Sequence, residues 1–82
     1  MTRAEMVKIL WEELSAIAPE IERGDVDPNG DLRDEFDIDS MDFLNLVEAL
    51  HDRLAIDIPE ADYERMGSVN AVSDYLAERT GG

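Results

Sequence analysis

Residues 39–54 read Asp-Ser-Met-Asp-Phe-Leu-Asn-Leu-Val-Glu-Ala-Leu-His-Asp-Arg-Leu. Its apolar residues return every three or four positions, which is the spacing of an amphipathic α-helix. At about 100° per residue, the side that we expect in the core collects Phe43, Leu46, Val47, Leu50 and Leu54. Asp39 is a favourable N-cap, so the sequence predicts a helix that runs to about Leu54 with Ser40 at its start.

The opposite side of this predicted helix also carries two large apolar residues. Met41 and Leu44 lie there, beside Asn45, Glu48 and Asp52. Single exposed apolar residues are common on protein surfaces and need no functional explanation. An apolar pair bordered by acids instead indicates a docking surface for another protein. Its position next to the serine that opens the helix favours this second interpretation.

Two further long helices are predicted, one on each side of this stretch. Thr2 and Glu5 form a capping-box pattern in front of a first helix over about residues 3–17. Ser68 is placed to cap a last helix that ends near Arg79. Both segments show helical spacing of their apolar residues.

The connections between these helices differ in length. Residues 18–39 lose the periodicity and are rich in Pro, Gly and acids, so they are predicted to form a long loop anchored by Leu32 and Phe36. A short helical turn over about residues 60–65 follows the later connection, and Gly81-Gly82 forms a tail. We therefore expect one domain over residues 1–82. Its fold class is all-α: a small antiparallel four-helix bundle of three longer helices and one short helix, with a long first loop.

The strongly negative charge of this chain restricts the kinds of macromolecule that it can bind. It has 21 acids against 7 Lys and Arg and a formal net charge of -14, so nucleic acid and anionic membranes would be repelled. Basic patches on other proteins are the expected binding partners. No apolar run approaches the length of a membrane span, which predicts a cytoplasmic protein with no membrane insertion. We also expect the protein to be a monomer. There is no cysteine, so any thiol chemistry requires a cofactor.

Several residues around Ser40 make the chain resemble the acyl carrier protein family. They are the Asp39-Ser40-Met41 triplet, Asp31-Leu32, Phe36, Val47, Leu50, Ile58-Pro59 and Val69. The resemblance implies that Ser40 is esterified with 4'-phosphopantetheine from coenzyme A and that the protein is a carrier without catalytic residues. It also implies a phosphopantetheinyl transferase as a partner, together with acyl-loading and acyl-processing enzymes that have basic docking patches. The docking residues would be Asp39, Met41, Asp42, Leu44, Asn45, Glu48 and Asp52.

Departures from the family pattern bear on the subclass. Met41 stands where Leu is usual, Asp37 replaces a frequent Gly, and Asn45 stands where carriers of primary fatty-acid synthesis usually have Glu. The resemblance therefore favours a discrete carrier of a specialised fatty-acid, polyketide or aminoacyl pathway.

The main alternative lies in the acidic loop. Residues 25–32 match the first eight positions of an EF-hand calcium loop, including its glycine at Gly30. The twelfth position, which should supply a bidentate Glu, is Phe36, and Glu35 comes one place early. A calcium-binding protein that uses Asp25 to Asp31 is thus the second hypothesis.

A hydrolase that uses Ser40 as its nucleophile is a weaker hypothesis. Such an enzyme needs a base beside the serine, and His51 is the only histidine, about three helical turns away. Zinc is not expected either, because there is no cysteine and no second histidine. No metal site is therefore predicted.

Overall fold

The computed structural model describes residues 2–80, and every regular element in this range is helical. The α-helices are α1 (Arg3–Ile17), α2 (Leu32–Phe36), α3 (Ser40–Leu54) and α4 (Val69–Arg79). Two segments of 3-10 helix cover Arg23–Asp25 and Glu60–Met66, and the second is called the 60–66 helix below. The predicted all-α bundle is confirmed. The Gly81-Gly82 tail lies outside the described residues.

The ends of the long helices form as their capping residues predict. The Thr2 hydroxyl accepts a hydrogen bond from the backbone N–H of Glu5, and the Glu5 carboxylate accepts one from the backbone N–H of Thr2. This reciprocal capping box begins α1. Ser68 accepts from the N–H of Ala71 and begins α4. Each cap satisfies helix-end donors that have no partner within the helix.

A single cluster of apolar side chains fills the space between the helices. α1 contributes Met6, Leu10 and Leu14, and α4 contributes Val69, Val72, Tyr75 and Leu76. The predicted inner side of α3 is confirmed, since Phe43, Leu46, Val47 and Leu50 are buried and Leu54 packs against them half-buried. Burial of these stripes is what makes helices of this length stable.

The prediction of a continuous loop over residues 18–39 is wrong in one respect, because the loop contains α2 and a turn of 3-10 helix. Asp31 caps α2 by accepting a hydrogen bond from the N–H of Arg33 at 2.9 Å. Leu32 and Phe36 lie one turn apart and are 1% and 2% exposed, so the helix is held by its burial. Both residues anchor the segment to the core as expected.

Two backbone hydrogen bonds join this connection to the start of α4. The N–H of Leu32 donates to the carbonyl of Gly67 at 2.8 Å, and the N–H of Asn70 donates to the carbonyl of Pro28 at 2.9 Å. The Asn70 side chain also donates to the Asn29 side chain. The segment that leads to Ser40 is therefore fixed at both of its apolar anchors and along its backbone.

No helix within residues 2–80 is long and apolar enough to cross a membrane. The extent of the domain over residues 1–82, the monomeric state and the cytoplasmic location stay predictions.

Candidate functional site

Ser40 is the first residue of α3, and its side chain is exposed. Asp39 precedes it in extended backbone geometry and acts as the N-cap, with its carboxylate accepting from the N–H of Asp42 at 3.0 Å. The first helical hydrogen bond runs from the N–H of Phe43 to the carbonyl of Asp39. The sequence-based prediction of a capped helix with Ser40 at its start is confirmed.

The corner that presents Ser40 is held from both sides. On the preceding side, α2 ends at Asp37 in the left-handed conformation with φ 51°, and the N–H of Ile38 donates to the carbonyl of Arg33. This arrangement closes α2 and turns the chain toward α3. On the following side, Phe43 is buried in the core, 5% exposed. The serine hydroxyl thus lies at a rigid point between two anchored helices.

The electrostatics of this corner combine two opposite influences. The first N–H groups of a helix have no partner inside the helix and give its N-terminus a partial positive charge, which favours a bound anion. Asp37 and Asp39 add negative charge at the exposed surface beside it. The helix end suits a phosphate ester on Ser40, while the surrounding acids suit contact with a basic protein.

The outer face of α3 carries the residues that the sequence indicated for docking. Met41 is 64% exposed and Leu44 is 43% exposed, the two exposed large hydrophobic side chains among the described residues. Asn45, Glu48 and Asp52 are exposed along the same helix. Asp39 is exposed and Asp42 is half-buried at its beginning. The geometry of the face is as predicted, and its docking role stays a prediction.

A cleft of about 780 Å³ lies beside this face, between α3 and the chain that follows it. We call it the outer cleft; its apolar walls are Leu44, Val47, Ile58, Pro59 and Tyr63. Its charged and polar rim consists of Glu48, His51, Asp57 and Arg79. The cleft could not be predicted from the sequence, because its walls come from elements whose separation the periodicity of one helix does not reveal.

His51 does not serve Ser40. It lies about 16 Å further along the axis of α3, and its Nδ1 is hydrogen-bonded to the carbonyl of Ile56 beyond the end of the helix. The expectation that it cannot act as a base for the serine agrees with this position. Its ring instead closes the turn after α3.

The EF-hand alternative finds no support in the loop geometry. Asp27 accepts from the backbone of Asn29 within its own turn, and Asp31 caps α2. Phe36, at the position of the missing bidentate Glu, is buried in the core. Within residues 2–80 no group of three or more His, Cys, Asp or Glu side chains is arranged to hold a metal ion.

Comparison with known proteins agrees with the geometry of the α3 corner. The family model of the phosphopantetheine attachment site matches residues 7–76, which is most of the chain. The chain belongs to the acyl carrier protein family. It is 30% identical over 69 residues to an acyl carrier protein of Streptomyces coelicolor, covering 84% of this chain and 75% of that one.

Two other acyl carrier proteins match over nearly their whole length. The protein from Rubrobacter xylanophilus is 26% identical over 78 residues, with 95% of each chain covered. The protein from Acidothermus cellulolyticus is 26% identical over 80 residues, with 98% of this chain and 94% of that one covered. The chain is therefore a carrier rather than an enzyme, and its cofactor is covalently attached 4'-phosphopantetheine.

Proposed function

We propose that Ser40 is the residue that carries 4'-phosphopantetheine and that this carrier presents acyl groups to partner enzymes from the N-terminus of α3. The observation that supports the assignment is the exposure of Ser40 at the start of a 15-residue helix, between the buried anchors Phe36 and Phe43. A modifying enzyme needs a hydroxyl that is open to solvent and fixed in position. Ser68 caps α4 with its own hydroxyl, and Ser73 is fully buried. Ser15 is exposed, but it lies in the last turn of α1, where the helix dipole disfavours an anion.

The residues at this corner fit the attached group. The N-terminus of α3 favours the negative charge of a phosphodiester, and Asp39 caps the helix through the N–H of Asp42, leaving the first turn ordered. When bound, the arm supplies the thiol that this cysteine-free chain lacks, on which acyl groups are held as thioesters. The protein contributes the fixed attachment point and the surface around it.

The outer face of α3 is the proposed docking surface, formed by Asp39, Met41, Asp42, Leu44, Asn45, Glu48 and Asp52. The two exposed apolar side chains offer area that a partner can desolvate, and the acids around them attract basic surfaces. Steering by charge raises the association rate more than the final affinity, which suits a carrier that must leave one enzyme for the next. The partners would be a phosphopantetheinyl transferase and enzymes that load and process acyl groups.

The cargo pathway is proposed from the departures noted in the sequence. Met41 and Asn45 lie on the docking surface, and Asp37 lies at the turn before Ser40, so all three differ from the usual family residues where a partner would touch. These differences favour a discrete carrier of a specialised fatty-acid, polyketide or aminoacyl pathway.

Modification with coenzyme A tests the assignment of Ser40. The apo protein is incubated with coenzyme A and a promiscuous phosphopantetheinyl transferase and then weighed intact. We expect the mass to rise by one phosphopantetheine group in the wild type and in Ser15→Ala, which removes an exposed serine from α1. Ser40→Ala should show no gain. A gain that survives Ser40→Ala would overturn the assignment.

A further inference from the structure

Tyr63 is shared by two clefts of the bundle. It is a wall of the outer cleft described above, and it also lines a second cleft of about 320 Å³. We call the second one the inner cleft; Leu32, Phe43 and Met66 form its apolar wall, and the charged residues Asp31, Arg33 and Glu64 also line it. A single side chain thus belongs to both spaces.

The ring of Tyr63, which both clefts share, contacts α3. It packs edge-on against Phe43 of α3, with 5.6 Å between ring centroids and 79° between ring planes. Phe43 is buried, while Tyr63 is half-buried. Edge-to-face aromatic pairs are held more firmly than their buried area alone indicates.

The element that carries Tyr63 is fastened on its other side. In the 60–66 helix, Asp62 accepts a hydrogen bond from the Tyr75 hydroxyl at 2.6 Å, and Arg65 forms an ion pair with Glu78. Both partners belong to α4. The 60–66 helix is therefore tied to α4, and it faces α3 across the two clefts with the Tyr63 ring between them.

The outer cleft begins close to the proposed attachment residue. Leu44 lines it and lies one turn after Ser40, about 6 Å along the axis of α3. Together with Leu44, the side chains of Val47 and Ile58 offer an apolar surface on which an acyl group carried from Ser40 would lose contact with water. The far rim carries His51 and Arg79, which a long alkyl chain would have to desolvate.

We propose, on the basis of the proposed function, that Tyr63 restricts this carrier to short acyl groups by separating the two clefts. A short chain is buried entirely in the outer cleft. For a longer chain, the Tyr63–Phe43 contact blocks entry to the inner cleft. The end of such a chain therefore stays in water. Tyr63 is in this sense a specificity-determining residue for the length of the cargo.

Chains of defined length test the proposal. A promiscuous transferase places acetyl-, octanoyl- and dodecanoyl-phosphopantetheine on Ser40, and intact mass confirms loading before any other measurement. The melting temperature of each loaded form is then compared with that of the same variant carrying the free thiol. In the wild type we expect the octanoyl form to melt above the acetyl form, with the dodecanoyl form within about 1 °C of the octanoyl form.

Truncation of the ring should remove this plateau. In Tyr63→Ala the joined clefts bury additional methylene groups, so the dodecanoyl form should melt roughly 5 °C or more above the octanoyl form. Tyr63→Val is a second variant that shortens the side chain while leaving less empty space. Tyr63→Phe keeps the ring and should retain the wild-type plateau. Leu54→Ala, at the far end of α3, controls for loss of stability alone.

The outcomes separate this proposal from the one on which it rests. Absence of any mass gain on Ser40 contradicts the attachment site itself. Normal loading combined with a wild-type melting temperature that keeps rising to dodecanoyl, or with an unchanged plateau in both truncated variants, overturns the role of Tyr63 alone. An octanoyl form no more stable than the acetyl form in the wild type overturns it as well.

Discussion

Tyr75 is a large core residue whose hydroxyl group is hydrogen-bonded. It is 1% exposed, and its hydroxyl donates a hydrogen bond to Asp62 of the 60–66 helix. Burial raises the pKa of Tyr75 above its ordinary value of 10.0, and the Asp62 carboxylate raises it further. The folded state prefers the neutral phenol. The contribution of Tyr75 to the free energy of unfolding is therefore complete below pH 10 and is lost as pH rises through the raised pKa.

Tyr75→Phe separates these effects. At pH 7 the variant should lose about 1 kcal/mol of unfolding free energy, since a hydrogen bond is removed while the half-buried Asp62 regains water. Between about pH 9 and 11 it should lose less stability than the wild type, because the residue that titrates with a raised pKa is gone. Urea unfolding at these pH values measures both. An equal alkaline loss in the two proteins would show that ionisation of Tyr75 does not drive the alkaline destabilisation.

Ala55 is a non-glycine residue in the left-handed conformation, with φ 54°, at the end of α3. Ala55→Gly should raise the unfolding free energy by about 0.5–1 kcal/mol, because relief of the steric cost exceeds the extra freedom of the unfolded chain. Ala49→Gly, inside the same helix, should lower it by about 1 kcal/mol. Denaturant midpoints of the two variants should therefore move in opposite directions, and a loss in both would show that residue 55 is unstrained.

As an element, α3 has an exposed side and a buried side, to which we assign different tasks. Glu48 lies on the exposed side and Leu50 is fully buried. Glu48→Lys should leave the melting temperature nearly unchanged and slow modification of Ser40, as added salt slows the wild type by screening. Leu50→Ala should instead cost about 2–5 kcal/mol of stability. The readouts are initial modification rates and urea unfolding.

A charge-matched control makes the test of α3 specific. Glu20→Lys changes the net charge of the protein by the same amount at an exposed position outside α3. It should slow modification less than Glu48→Lys does. Equal slowing in the two variants would assign steering to the total charge and remove the special role of this face.

For the whole molecule, repulsion among acids competes with ion pairs that arginines form between elements. Arg3 pairs with Asp74, Arg53 with Glu12 and Glu13, and Arg65 with Glu78, all at exposed or partly exposed side chains. Such pairs contribute little each. The formal net charge of -14 is spread over a Cα radius of gyration of 11.5 Å, which is about a Debye length at 0.1 M salt.

Repulsion should therefore decide the response to salt. Raising sodium chloride from about 0.01 M to 0.2 M should raise the melting temperature by a few degrees, since screening relieves the folded state of more repulsion than attraction. Scanning calorimetry across this range measures the shift. A melting temperature that falls with added salt would mean that the arginine pairs dominate.

The parts of this structure that could be predicted are the helices whose residues show a local pattern of apolar spacing and capping. α1, α3 and α4 have strong helical periodicity and a capping residue at the start, so their bounds followed from the sequence. α2 spans only five residues, too few to show a period, so the sequence placed it inside the long loop and identified only its anchors Leu32 and Phe36. The outer face of α3 followed from counting along one helix.

The clefts could not be predicted in this way. They depend on how close the 60–66 helix lies to α3, which is set by the packing of Tyr63 on Phe43 and by the hydrogen bond between Asp62 and Tyr75. Ser40 stood out in the sequence through its resemblance to a family, since a serine at a helix start is common for capping reasons alone.

The hydrogen bonds that join the segment before Ser40 to the start of α4 have a consequence for biosynthesis. Leu32 depends on the carbonyl of Gly67, and Pro28 is held by the N–H of Asn70, so the corner is completed by residues translated much later. In a nascent chain whose Asn70 has not yet emerged from the ribosome, the corner at Ser40 therefore lacks these hydrogen bonds. Because long-range contacts form only when both partners are present, we expect the corner at Ser40 to become fixed only after residues 67–70 have joined it.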